Sequence, residues 1–163
     1  MIVFVLMNLD RSIIRSVPEF AALNDAEAGA LVQLASVIRK KKGEIIVKEN
    51  APGDALYIVL SGMVRVAKLD LGKVVEIAKL KSGEVFGEIS LLDEMVTSAS
   101  VIADATTDLA VIRRGDFAKL LQSNAVLSAK VYRAFCLVLA ERLRATNNLY
   151  TVSVSPWVDE FDW

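Results

Sequence analysis

Histidine is absent from this chain of 163 residues. That removes the commonest general base, the commonest metal ligand and the usual axial ligand of haem, so metal or haem chemistry is not expected. Cys136 stands alone, which excludes an internal disulfide and a cysteine-bound iron–sulfur cluster. It lies in a strongly apolar helical pattern and reads as core packing, with an intermolecular or reactive thiol as the lesser reading. Surplus positive charge is missing as well: 19 Lys and Arg stand against 20 Asp and Glu, a net charge of -1. Nucleic acid and anionic membranes both need clustered cations, so neither is an expected partner. The run Arg39, Lys40, Lys41, Lys42 reads as a solvated strand end.

Long apolar runs are also lacking. The opening stretch Met1–Met7 is short against the roughly 20 residues that span a bilayer, and it has no basic flank to make it a signal peptide. A cytoplasmic, membrane-free protein is expected. Asn8, Leu9, Asp10 and Arg11 would open an ordinary soluble chain, so Met7 is as good a start as Met1. There is no Gly-x-Ser-x-Gly elbow, Walker-type loop or metal-ligand cluster, and an enzyme is not expected.

What is present is 54% hydrophobic and falls within the size of one domain with a real core. From Leu9 to about Val37 the pattern is helical, broken by Pro18, with Asn24 and Glu27 spaced as a capping box. From Arg39 to Arg114 the texture changes to short β-branched runs: 44–47, 55–60, 63–68, 74–80, 99–103 and 109–112. Glycines at 43, 53, 62, 72, 83 and 87 punctuate them about every ten residues, the rhythm of an all-β barrel or roll. Helical periodicity then returns. Asp116 caps a short helix to about Leu121, and a longer one runs over 125–146. Leu127, Val131, Phe135, Val138 and Leu139 share a broad face there, and Tyr132, Cys136, Ala140 and Leu143 widen it beyond a single stripe. So much apolar surface predicts a homodimer joined through this helix, with Leu127, Val131, Phe135 and Val138 at the seam.

After Asn147-Asn148 the alternation of Tyr150, Val152 and Val154 with polar residues predicts a short strand. Beyond Pro156 follows an acidic, aromatic tail, and its tryptophans make Trp157–Trp163 a candidate partner-docking segment. The expected organisation is an N-terminal extension over 1–17, one domain over 18–146 and a tail over 147–163.

Two separated motifs carry a family resemblance. Lys42-Gly43-Glu44-Ile45-Ile46 leads to Pro52-Gly53-Asp54-Ala55-Leu56-Tyr57-Ile58-Val59-Leu60-Ser61-Gly62. Phe86-Gly87-Glu88-Ile89-Ser90-Leu91-Leu92 then leads to Ser98-Ala99-Ser100-Val101. In order and spacing they resemble the roll entry and the phosphate cassette of the cyclic-nucleotide-binding domain family of catabolite-activator type, over roughly residues 18–145. The resemblance implies a mainly β fold with flanking helices, a double-stranded β-helix (jelly-roll-like), with a long C-terminal helix. It also implies a non-catalytic regulatory role in signal transduction. The helix-turn-helix of the related transcription factors has no counterpart in the roughly 17 residues after Thr146.

The same resemblance implies a ligand site at Phe86, Gly87, Glu88, Ile89, Ser90, Thr97 and Ser98. Backbone N–H groups of a short helix face the phosphate. Glu88 takes the position that accepts from the ribose 2′-hydroxyl, and Ser98 that of a hydroxyl touching phosphate or base. The preceding position holds the family's phosphate-binding arginine; here it is Thr97. No Lys or Arg occurs from Ser82 to Ile112, whereas Glu84, Glu88, Asp93, Glu94, Asp104 and Asp108 all do. The expected ligand is therefore a weakly bound cyclic nucleotide or something nucleoside-like, with no cofactor and no metal; a ligand-free dimerising scaffold is the alternative. Glu88, Ser90, Thr97 and Ser98 also admit plain local backbone bonding. Arg133 on the long helix is the basic residue considered for reaching over the pocket.

Overall fold

The structure, a computed structural model, describes residues 9–93 and 95–154. The N-terminal run at 1–7, Glu94 and the segment 155–163, with its tryptophans, lie outside the described residues.

Two short N-terminal helices, α1 (Arg11–Ser16) and α2 (Asp25–Leu34), flank a 3₁₀ turn, Pro18–Phe20. The Asp10 carboxylate accepts from the N–H groups of Ser12 and Ile13 and starts α1. The expected capping box starts α2: Asn24 Oδ1 accepts from Glu27 N–H at 2.9 Å, and Glu27 Oε2 accepts from Asn24 N–H at 2.8 Å.

Helix α2 stops at Leu34, earlier than its apolar periodicity suggested. Residues Ala35–Lys40 form strand β1 instead, because β-branched Val37 and Ile38 pair along a strand ready to receive them. Seven further strands follow: β2 (Ile45–Val47), β3 (Ala55–Ser61), β4 (Met63–Asp70), β5 (Lys73–Lys81), β6 (Val85–Phe86), β7 (Ser100–Ala103) and β8 (Thr107–Arg113). They make two antiparallel four-stranded sheets, β1-β8-β3-β6 and β2-β7-β4-β5. The predicted runs at 44–47, 55–60, 63–68, 74–80, 99–103 and 109–112 correspond to six of these strands. The six-residue helix α3 (Glu88–Asp93) sits within the roll region, where a helical turn was expected.

The first sheet is covered on both faces, which explains the unbroken apolar run of β3. Leu56 and Ile58 face a core shared with the helices, including Ile14, Phe20, Leu31, Ile112 and Phe117. Tyr57 and Val59 face the roll interior with Val64, Leu80, Val101 and Leu109. In the second sheet β5 is an edge, and Val74, Val75 and Ile77 on it are exposed.

Helix α4 (Arg114–Ser123) leads to α5 (Ala125–Val154). Asp116 lies in the first turn of α4 but Arg113 is the cap position, without a side-chain bond. Helix α5 runs through Asn147 and Asn148, so the strand expected at 150–154 is helical backbone. Asparagine weakens a helix without breaking it, and neither Gly nor Pro occurs between Gly115 and Pro156.

Two expectations about α5 are corrected. Leu127, Val131 and Phe135 are buried in the chain's own core, against α4 and the 3₁₀ turn, and Val138 is half-buried. The apolar residues this leaves outside include Tyr132, Leu137 and Leu143. Cys136 is exposed too, because it stands about 100° around the helix from Phe135.

Candidate functional site

The cassette begins where β6 ends. Phe86 stacks on Tyr57 inside the roll, ring centroids 4.8 Å apart and planes 3° from parallel. Burial pushes the Tyr57 phenol up to about 12, helped by the charge of Asp54. Gly87 then turns the chain at φ +89°, and a Cβ there would lie 2.5 Å from the Ala55 carbonyl oxygen. Two turns therefore meet: Gly53 approaches α3 so closely that a Cβ on it would lie 2.1 Å from Ser90 Cβ. Ser90 is buried in that contact, while Ile89 is exposed.

Glu88 is 2% exposed. Its Oε1 accepts from Nη1 of Arg142, which reaches down from α5, and Arg142 Nη2 donates to the Val85 carbonyl at 2.6 Å. Burial pushes the Glu88 carboxyl above its ordinary range, opposed by the Arg142 charge and by its own backbone N–H. The arginine that meets Glu88 is thus Arg142; Arg133 is exposed on α5. Nothing in local sequence marks Arg142, since 54 residues separate it from Glu88. Helical phase was the available signal: Arg142 lies seven residues beyond Phe135, two turns along the packed face.

Thr97 is buried in the wall. Its hydroxyl lies 2.5 Å from the Lys48 carbonyl and 3.2 Å from that of Ala51, and accepts from Ala51 N–H at 3.1 Å. The backbone pairs there too, Thr97 N–H to Ala51 O at 2.8 Å and Asn50 N–H to Thr97 O at 2.9 Å. Asn50 itself takes φ 60°, the left-handed conformation a neighbouring turn requires. Ser98, the next residue, is exposed.

The structure disperses the carboxylates that the sequence crowds together. Asp108 is buried and takes two bonds from Arg39, at 2.7 and 2.8 Å, plus the Ser61 hydroxyl. Asp104 pairs with Lys79 at 2.9 Å. Asp93 accepts from the Met95 N–H. Glu88 stays with Arg142, and Glu84 accepts from the Lys81 N–H at 2.8 Å; Glu19 of the 3₁₀ turn feels the charges of all three residues. Grooves elsewhere, between α2 and α4 and beside Ser82-Gly83, include none of Phe86–Ser90, so chemistry rather than void volume locates the site. Among the described residues no group of His, Cys, Asp and Glu is arranged to hold a metal ion, and no helix is long and apolar enough to cross a membrane.

Comparison with known proteins gives a consistent picture. Residues 37–124, more than half of the chain, match the family model of the cyclic nucleotide-binding domain. A cyclic nucleotide-binding domain from Methylobacillus flagellatus superposes with a TM-score of 0.77 at 28% identity, over 92% of this chain and 85% of that one. The catabolite activator protein of Thermus thermophilus gives 0.71 at 34% identity, over 83% of this chain and 63% of that one. The regulatory subunit of a cAMP-dependent protein kinase from Aspergillus fumigatus is 32% identical over 108 residues, 66% of this chain and 26% of its own length. The chain thus spans about a quarter of that curated relative.

Proposed function

Because the chain belongs to the cyclic nucleotide-binding domain family, we propose that it is a non-catalytic regulatory module whose pocket takes a ribose-bearing ligand of little charge and binds cyclic AMP and cyclic GMP weakly. One observation carries this reading: at the position of the phosphate arginine stands Thr97, its hydroxyl spent on the Lys48 and Ala51 backbone. Arg142, the cation that does reach the cassette, is already partnered by Glu88. A full phosphodiester charge would enter without a guanidinium of its own, at a cost of about 2 to 5 kcal/mol, or thirty-fold to several-thousand-fold in affinity. A ligand hydroxyl, by contrast, finds an acceptor in Glu88.

Titration calorimetry with cyclic AMP, cyclic GMP, adenosine and guanosine tests the proposal. Nucleosides binding as tightly as the cyclic nucleotides supports it, and submicromolar binding of either cyclic nucleotide overturns it. Binding of none favours the ligand-free scaffold, a reading already suggested by the occupation of Glu88 by Arg142.

The module is also proposed to be a homodimer through α5, along a seam other than the expected Leu127, Val131, Phe135 and Val138. Ala129, Tyr132, Cys136, Leu139 and Leu143 recur at alternating intervals of three and four residues. Of these, Ala129, Tyr132, Cys136 and Leu143 are exposed and Leu139 is half-buried. A 3.5-residue repeat on a long helix is the pattern of a coiled-coil seam, which a second copy of the same helix matches.

A further inference from the structure

Beside the cassette lies a carboxylate that this reading does not use. Glu19 is 8% exposed, and its Oε2 is buried without a hydrogen-bond partner. Its neighbour Phe20 meets Phe135 of α5 edge-to-face, centroids 6.4 Å apart and planes at 61°. The 3₁₀ turn is thereby held on the α5 face that carries Arg142 two turns further on. Glu19 feels the charges of Arg142, Glu88 and Glu84, and burial pushes its carboxyl above the ordinary range.

A buried carboxylate oxygen without a partner is costly and calls for an explanation. The geometry places one guanidinium among several carboxylates and satisfies only some of them. Arg142 gives Nη1 to Glu88 and Nη2 to Val85, and nothing to Glu19.

We propose that Glu19 is a positioning residue, the second berth of Arg142: when a ligand hydroxyl engages Glu88, the guanidinium passes to Glu19, so that the N-terminal helices register pocket occupancy. This rests on the reading that ligands contact Glu88. A ligand hydroxyl competes with Arg142 for the Glu88 oxygens. Without another acceptor the displaced guanidinium would lose a charged partner, and binding would carry that penalty. Glu19 offsets the penalty and gains the partner it lacks. The two arrangements then differ in which acid is paired: the cassette acid in the empty state, the N-terminal acid in the occupied one. Ligand and 3₁₀ turn are coupled through that difference.

Glu88→Gln stands in for a Glu88 engaged by a ligand and allows the handover to be tested without one. Glu19→Gln is made in the unmodified protein and in Glu88→Gln, and both pairs are unfolded in urea. In the unmodified protein Glu19→Gln raises the midpoint or leaves it unchanged, since it discharges an acid whose buried Oε2 has no partner. In Glu88→Gln it lowers the midpoint, since Glu19 is then the partner of Arg142; Arg142→Gln in that background abolishes the drop. The same sign in both backgrounds overturns the handover.

The ligand arm uses Thr97→Arg with saturating cyclic AMP and follows amide exchange at Phe20 and Leu23, whose N–H groups bond to Val17 and Phe20 carbonyls. Exchange slows at least about two-fold on binding, and Glu19→Gln removes that response and weakens affinity by about five-fold, the low end of common coupling factors. Binding with unchanged exchange at these amides overturns the handover. Failure of Thr97→Arg to bind counts against the ligand reading instead, and the urea comparison still decides the berth.

Discussion

Arg142 donates to Glu88 across 54 residues of sequence, fastening the long C-terminal helix to the cassette helix α3. Glu88 is almost fully buried and Arg142 about one-third exposed on its side chain, so the guanidinium shields a charge that water barely reaches. Arg142→Ala leaves that carboxylate without its ion-pair partner and is expected to destabilise the fold by about 2 to 3 kcal/mol, below the full buried-pair cost because the arginine is partly solvated. Adding Glu88→Gln should recover part of the loss in urea unfolding. Additive losses would show that the pair is not coupled.

A second expectation concerns the seat of α3. In Gly53→Ala the new methyl must displace Ser90 Cβ, otherwise 2.1 Å away, and α3 moves with it. The expected cost is about 1 to 3 kcal/mol, the usual range for overpacking. Ser90→Gly removes the opposing atoms and should restore part of the thermal midpoint. If Gly53→Ala alone melts like the unmodified protein, the close approach does not exist in solution.

Thr97→Arg is expected to create measurable binding of cyclic AMP, because it returns a bidentate cation to the phosphate position implied by the family. The same change removes the hydroxyl joining Lys48 and Ala51, so the variant should be less stable by about 1 to 2 kcal/mol. Adding Glu88→Ala should cut affinity by about 1 to 3 kcal/mol if Glu88 accepts from the ribose. Calorimetry on a variant shown by circular dichroism to be folded decides; a folded variant that binds nothing means the pocket has closed.

Glu19 gives a pH signature of defined sign. Burial raises its carboxyl in the folded state, with its own backbone N–H and Arg142 lowering it and Glu88 and Glu84 raising it. The folded protein therefore holds the proton more tightly than the unfolded chain. Charged Glu19 penalises the fold at neutral pH, and the penalty fades as pH falls through the raised folded value and is gone below the ordinary value of 4.5. The stability advantage of Glu19→Gln should accordingly be largest at neutral pH and vanish in acid. Thermal melts of both proteins across this range check it, and an advantage that grows in acid contradicts it. Asp108 works in the opposite sense: the bonds from Arg39 hold its carboxyl below its usual value, so its contribution is present above 3.8 and lost as pH falls through the lowered value.

The proposed dimerisation through α5 assigns different roles to two faces of one helix. Leu143→Asp, on the exposed seam, should yield a folded monomer in light scattering, because a charge at a coiled-coil core position opposes pairing more than it disturbs the body. Val131→Asp should instead unfold the chain, since Val131 is fully buried within it. An unmodified protein that is monomeric at micromolar concentration and above removes the proposal.

Much of this molecule follows from local sequence. The capping box at Asn24 and Glu27, six of the strands between glycines and the helical turn in the cassette all rest on neighbours in the chain, where periodicity and turn chemistry act. The absence of Lys and Arg from Ser82 to Ile112 was likewise legible, because a missing charge needs no coordinates to see. Tertiary structure decided whatever depends on partners distant in sequence. Ala35–Lys40 became a strand because β8 offered a ladder. Leu127, Val131 and Phe135 went inward rather than to a seam because the 3₁₀ turn and α4 cover that face of α5. Asp104 and Asp108 left the cassette for Lys79 and Arg39, and Arg142 came to Glu88 from the far end of the chain. Sequence determines which charges and apolar stripes a segment carries; only the packed fold decides which of them meet, because pairing is set by distance in space.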